Sequence, residues 1–221
     1  MIKAVIFDMD GILLDTEPYW QEVEMEVFAT VGLHLTREEC MATTGFPVKD
    51  VVYYRYKQKP WNNKSLEQVA KEIVERVKEK IREKPLVMDG AIETINFFKI
   101  RKIPIAVASS SEMELIKTAL GITSLINLFD VIHSTEFEKY GKPHPDVFIT
   151  TARKLSVEPE HCMVFEDSIN GVIATKAARM KSVAIVHPQM ENRREFEISD
   201  LKLKSLRDFS EKHWQYLNSL D

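Results

Sequence analysis

Asp8 and Asp10 stand two residues apart at the end of an apolar run, in the segment Phe7-Asp8-Met9-Asp10-Gly11. Ala4, Val5, Ile6 and Phe7 suit a fully buried strand, so Asp8 falls where the strand ends and Gly11 permits an abrupt turn. Both carboxylates are then expected in one small space. Two ionised carboxylates that close repel, and the arrangement is tolerable when a cation sits between them or one carries a proton. That is the setting of reactive acids rather than of packing. A second pair, Glu166-Asp167, ends another apolar run and supplies the hard oxygen donors that a small divalent cation takes.

The elements that must position these acids are legible as a pattern. Short apolar runs at residues 3–7, 104–108, about 130–133, 162–166 and 182–186 alternate with segments of helical period, which predicts a parallel sheet covered by helices. Ligands in such sheets bind beyond the carboxyl ends of the strands. Asp8, Ser109, Glu166 and Asp167 all fall at such ends, so one crevice should collect them. Ser111-Glu112-Met113-Glu114 reads as a capping box opening a helix through Leu115, Ile116, Ala119 and Leu120, and Pro145 suits the first turn of another.

Between about residues 15 and 86 the strand pattern is interrupted. Trp20, Val23, Val27, Phe28 and Val31 share a helical face, with Asp15 and Thr16 as the expected cap of that helix. Thr36-Arg37-Glu38-Glu39 is a further capping box, and Ser65 precedes a long helix carrying Val69, Ile73, Val77 and Ile81. This is a helical insertion after the first strand. Beyond residue 187 a closing strand and a terminal helix are expected.

Composition bounds the class. The 221 residues, 44% of them hydrophobic, are enough for one substantial core and a small accessory domain. A net charge of −4 with interspersed signs, and no stripe of Lys and Arg, argues against a nucleic-acid partner. Cys40 and Cys162 have neither metal-type spacing nor the density of a disulfide framework, which suits a reducing compartment. No signal-peptide pattern opens the chain and no apolar stretch reaches membrane-spanning length. The expectation is a soluble cytoplasmic protein with no membrane partner, read as a monomer.

Four segments, Phe7–Thr16, Ile105–Ser109, Gly141–Phe148 and Val164–Gly171, resemble in kind, order and spacing the motifs of the haloacid dehalogenase superfamily of phosphohydrolases, in its β-phosphoglucomutase-like subfamily. The resemblance implies an α/β fold: a Rossmannoid three-layer core with a parallel sheet and an inserted α-helical cap. Residues 1–14 and 86–221 would form the core and 15–85 the cap, hinged near residues 14–17 and 84–90. It also implies Mg²⁺-dependent phosphoryl transfer. Asp8 would be the nucleophile and Asp10 the general acid and then base. Mg²⁺ would be held by the Asp8 carboxylate, the Asp10 carbonyl and Asp167, with Glu166 near or in the shell. Phosphate contacts would come from Ser109, Ser110, Lys142 and the backbone amides of Met9 and Asp10.

Within the superfamily, Thr16-Glu17-Pro18-Tyr19-Trp20 and Lys59-Pro60-Trp61-Asn62 are similar to the branch that hydrolyses hexitol and 2-deoxyglucose 6-phosphates. The implied substrate is a small phosphorylated sugar or polyol. The sugar-phosphate mutases of the subfamily need a second phosphate site in the cap. Here Trp20 stands where the mutase has a histidine, and Thr44–Lys49 lacks one of the two expected basic residues. A noncatalytic phosphosugar-binding module is disfavoured by the joint presence of Asp8, Asp10, Ser109, Lys142 and Asp167. Trp20, Phe46, Lys49 and Trp61 are candidates for the sugar pocket, although cap aromatics more often pack a cap's own small core.

Overall fold

The computed structural model describes residues 1–220; residue 221, the last of the expected core segment, lies outside them. Among the described residues six strands form one sheet: β1 (Ala4–Phe7), β2 (Ile105–Ser109), β3 (Val131–Ser134), β4 (Cys162–Glu166), β5 (Lys181–Ile185) and β6 (Leu201–Leu203). Their order is β3-β2-β1-β4-β5-β6, and every neighbouring pair is parallel. The apolar runs are continuous because both faces are covered. Ala4, Ile6, Ala106, Ala108, Cys162 and Val164 face one helical layer, while Val5, Phe7, Ile105, Val107, Met163 and Phe165 face the other, as the two-residue period of a strand requires. Register then sets chemistry, because Phe7 pairs with both Val107 and Phe165, so the strand ends that carry Asp8, Ser109 and Glu166 lie side by side.

The helices follow the expected alternation. α1 (Glu17–Ala29), α2 (Arg37–Met41), α3 (Val48–Gln58) and α4 (Leu66–Glu83) form the insertion; α5 (Ala91–Ile100), α6 (Met113–Ile122), α7 (Asp146–Lys154), α8 (Ile169–Ala177) and α9 (Glu211–Ser219) flank the sheet. α4 forms where it does because Ser65 and Gln68 make a reciprocal capping box and Val69, Ile73, Val77 and Ile81 line one stripe, all buried. Each such buried side chain contributes about 1.5–3 kcal/mol, so an Asp at Ile73 would remove the insertion's central contact. Thr36 and Glu39 cap α2 in the same way.

Two of the expected caps are not made. Thr16 precedes α1 and Ser111 lies just before α6, yet neither hydroxyl caps its helix. The first amide of α6, on Met113, instead donates to Glu136 Oε2 at 2.9 Å. Both hydroxyls are drawn to a carboxylate described below.

The insertion meets the core at two places. At the crossing, Leu14 bridges Val87, Asp15 N donates to Leu86 O and Met88 N donates to Leu13 O, each at 2.9 Å. Nearby, Lys78 of α4, only 2% exposed, reaches Glu114 of α6 at 2.9 Å. On the far side the segment 43–47 rests on the core, with Ser110 Oγ donating to Gly45 O at 2.8 Å and Asn170 Nδ2 to Thr44 O at 3.5 Å. Gly45 has φ +83°, and a Cβ there would lie 2.5 Å from Ser168 Oγ. A Cβ on Gly141 would lie 2.3 Å from Pro47 Cγ. Among the described residues, no helix is long and apolar enough to cross a membrane.

Candidate active site

Asp8 follows directly on β1 and is 6% exposed. Lys142 Nζ, also buried, donates to Asp8 Oδ1 at 2.6 Å, to Glu166 Oε1 at 2.5 Å and to Ala108 O at 3.3 Å. The lysine is thus not a surface residue of a loop but the bridge between two strand-end acids. Burial opposes its charge, yet Asp8 and Glu166 outweigh that and raise its pKa. Glu166 has its other oxygen engaged as well, since Ser168 donates to Oε2 through N at 2.9 Å and through Oγ at 3.0 Å. The same Ser168 Oγ accepts from Gly171 N and so caps α8. The strand end, the helix start and the lysine are therefore one hydrogen-bonded unit.

Asp10 sits two residues on, where Gly11 turns the chain at φ +74°. Its side chain is held on both oxygens. Thr16 Oγ1 donates to Oδ1 at 2.5 Å and Trp20 Nε1 at 3.1 Å, while Ser111 Oγ donates to Oδ2 at 2.8 Å and Ser109 Oγ reaches it at 3.4 Å. Here lies the reason the two expected caps fail: a half-buried carboxylate gains more from a hydroxyl than a neutral helix-end amide does. Three hydroxyls can accept as well as donate. The hydroxyls around Asp10 can therefore serve either hydrogen-bonding role toward its oxygens.

The crevice over these residues is a cavity of about 60 Å³. It is lined by Asp8, Asp10, Ser110, Lys142 and Asp167 from the sheet side and by Glu17, Trp20, Gln21, Glu24, Thr44 and Phe46 from the helical side. Burial pushes the Glu17 carboxyl up to about 8, reinforced by Asp10 and Glu24, although Thr44 Oγ1 donates to its Oε2 at 3.3 Å. Among the lining residues, Lys142 is the one cation.

Of the four candidates from the insertion, Trp20 and Phe46 line the crevice and two do not. Trp61 is 9% exposed and packs edge-on against Phe28 and Tyr56, with ring centroids at 6.0 and 5.0 Å. It is a core residue of the insertion. Lys49 points to the outer rim and meets Glu112 at 3.9 Å, its side chain 71% exposed. Sequence reasoning passed over Thr16, Glu17, Glu24 and Ser111. The available signal was the polar stripe Glu17, Trp20, Gln21, Glu24 at helical spacing on the flank of the apolar face.

The acids fit a small hard cation. Asp8, Glu166 and Asp167 each offer a carboxylate oxygen within 4.8 Å of the others. A Cβ on Gly11 would lie 2.0 Å from Asp167 Oδ2, so that carboxylate is seated against bare backbone just past Asp10. One lysine against three acids leaves surplus negative charge. Burial pushes Asp8 up to about 8, with Lys142 pulling against it and Glu166 and Asp10 adding to it. Burial likewise raises Asp167 well above the carboxylate range, with Glu166, Glu17 and Asp8 adding to the effect. A donor set of oxygens alone, with charge to neutralise, is that of Mg²⁺ rather than of a thiolate-seeking metal.

The sequence matches the profile of haloacid dehalogenase-like hydrolases over residues 5–185. It is 36% identical over 212 residues to hexitol phosphatase B of Escherichia coli, spanning 96% of each chain. It is 32% identical over 187 residues to a phosphorylated carbohydrates phosphatase of Thermotoga maritima, spanning 84% of this chain and 86% of that one. The fold matches a β-phosphoglucomutase of Clostridium difficile with a TM-score of 0.86 at 24% identity, covering 99% of this chain and 98% of that one, a likeness of architecture. A parallel sheet that brings Asp8, Asp10, Lys142 and Asp167 to its carboxyl edge, under a profile spanning most of the sequence, places the chain in the haloacid dehalogenase-like hydrolase family.

Proposed function

We propose that this chain is a Mg²⁺-dependent phosphomonoesterase that hydrolyses small sugar or sugar-alcohol phosphates of the hexose and hexitol 6-phosphate type through an aspartyl-phosphate, with residues 15–85 acting as a cap over the crevice. The observation that carries it is the pairing of two acids in different settings: Asp8 between Lys142 and Asp167, and Asp10 fixed by Thr16, Trp20 and Ser111. The relatives named as hexitol and carbohydrate phosphatases support the substrate class.

The carboxylates of Asp8 and Asp167 and the backbone carbonyl of Asp10 would hold Mg²⁺, which would supply positive charge against a phosphate dianion and an ionised nucleophile. Glu166, with both oxygens engaged, holds Lys142 in place instead. Asp8 attacks phosphorus, the bond to the sugar oxygen breaks, and Asp10 gives that oxygen its proton. Asp10 then takes a proton from the water that attacks the aspartyl-phosphate, releasing inorganic phosphate and restoring Asp8. Lys142, Ser109, Ser110 and the amides of Met9 and Asp10 stabilise charge on the transferring group.

Two expected outcomes test this. Asp10→Asn should lower kcat about 10²–10⁴-fold on a hexitol 6-phosphate but far less on an aryl phosphate, whose leaving group needs no proton. Equal losses on both esters would remove the general-acid role. The wild type should release inorganic phosphate from a hexose or hexitol 6-phosphate with no bisphosphate activator. A mutase would need a second anion site, whereas an indole and two acids line the helical side of this crevice. Bisphosphate-dependent isomerisation of β-glucose 1-phosphate with little phosphate released would reverse the reading.

A further inference from the structure

One carboxylate in the crevice has no part in the phosphoryl chemistry. Glu24 on α1 lines the cavity and is 7% exposed, and its Oε2 has no hydrogen-bond partner among the described residues. Burial pushes the carboxyl up to about 7, with the nearby Cys40 thiol and the charge of Arg55 pulling the other way. A buried oxygen left unpaired costs stability. The neighbouring inward positions of the same helix, Val23, Val27 and Phe28, show what packing alone would place there.

Its position follows from helix geometry. Glu17, Trp20, Gln21 and Glu24 recur at the spacing of one stripe, and all four line the crevice. Trp20 Nε1 touches Asp10, the acid that meets the leaving oxygen, at 3.1 Å. Glu24 lies one turn farther, about 6 Å along the axis, the span of a short carbon chain rather than of a single carbon. Arg55 sits behind it, 3% exposed and outside the lining, with its terminal nitrogens donating to Glu39 O and Gln58 Oε1. Its charge steadies Glu24 without being offered to a ligand.

We propose that Glu24 is a specificity-determining residue whose free oxygen accepts hydrogen bonds from the distal hydroxyls of the substrate, selecting a long neutral polyol tail over a short one and over a tail that ends in an acid. The proposal rests on the phosphomonoesterase reading and names the substrates that such a site takes. A hydroxyl donates to Oε2 and satisfies it. Above about pH 8, where both carboxyls are ionised, a second carboxylate or phosphate would lie against Glu17 and Glu24 in a buried space where like charges repel strongly.

The test compares kcat/KM at pH 9, where Glu17 and Glu24 are ionised, for glucitol 6-phosphate, glycerol 3-phosphate, gluconate 6-phosphate and 4-nitrophenyl phosphate, in the Mg²⁺-loaded wild type and in Glu24→Leu and Glu24→Gln. The wild type should prefer the glucitol ester to the glycerol ester by about 10–100-fold, the worth of one or two hydrogen bonds to a charged acceptor. Glu24→Leu should erase most of that preference. Glu24→Gln should keep part of it and gain on the gluconate ester, because the repelling charge is gone. The wild-type series stands by itself should a variant fold poorly: equal rates for glucitol and glycerol esters would overturn the proposal. So would a Glu24→Leu loss of one common factor on all four esters, the mark of a structural role. Turnover of the aryl ester with none of the sugar esters rising above it would instead overturn the underlying reading of the substrate class.

Discussion

Asp8→Asn is expected to lower turnover by at least about 10⁴-fold while leaving the protein folded, since no other group near phosphorus can form the covalent intermediate. Its effect on stability has a definite sign. Burial raises Asp8 from an ordinary 3.8 to about 8, so between those pH values the unfolded chain gives up a proton that the folded chain keeps, and stability falls as pH rises through that window. Without metal, Asp8→Asn should therefore melt no lower than wild type at pH 8, and any advantage should vanish toward pH 4. Mg²⁺ reverses the order. A cation bound only by the folded protein raises its melting temperature, and the rise should be larger for wild type than for Asp8→Asn. EDTA should abolish wild-type activity until Mg²⁺ is restored; full activity in EDTA would defeat the scheme.

Lys142→Met is expected to cost more stability than any other single change at the site, about 3–5 kcal/mol, because it strands Asp8 and Glu166 in a dry space with no counter-charge. Turnover should fall about 10²–10³-fold as the transferring group loses its neutralising ammonium. The folded-state pKa of Lys142 is raised, so its stabilising contribution is complete throughout the neutral range and fades only at strongly basic pH. The deficit of the variant should shrink on going from pH 9 to pH 6, because Lys142 lets Asp8 ionise near 8, whereas Asp8 without its counter-charge still holds its proton at pH 9. Denaturant melts at the two pH values measure this. An equal deficit at both would mean that Lys142 stabilises through the packing of its stem rather than through its pairing with Asp8.

What could be read in the sequence was the part fixed by backbone pattern. Apolar runs such as Ala4–Phe7 and Cys162–Glu166 are unambiguous because a strand buried on both faces has no polar alternation to confuse it. The acids that end those runs announce the crevice. Ser111 was not legible, because a serine just ahead of a helix serves equally as a cap or as a donor to something outside the helix. Only the nearness of Asp10, 101 residues away in sequence, settles which. Trp61 and Trp20 are both indoles in the insertion, and the difference between a packed ring and a crevice wall is a matter of which way each helix or loop turns. Glu24 escaped notice for a related reason. It is the polar edge of an otherwise apolar face, and sequence pattern treats such an edge as solvent-facing.

The seat of the 43–47 segment works as a gauge. Gly45 against Ser168 and Gly141 against Pro47 are contacts in which one partner has no side chain, so the two surfaces mate without ordering flexible groups and with little entropic resistance. The same bareness leaves no slack. Under the proposed cap role, the insertion lifts to admit a substrate and returns only as far as the tail allows. The hydrogen bond from Ser110 Oγ to Gly45 O re-forms when the fit is right and stays open when the tail is too bulky. Under the proposed cap and Glu24 roles, length discrimination becomes the fraction of time that Asp10 spends in the grip of Trp20 and Thr16, and a single methyl group at position 45 or 141 is expected to hold the cap ajar for every substrate alike.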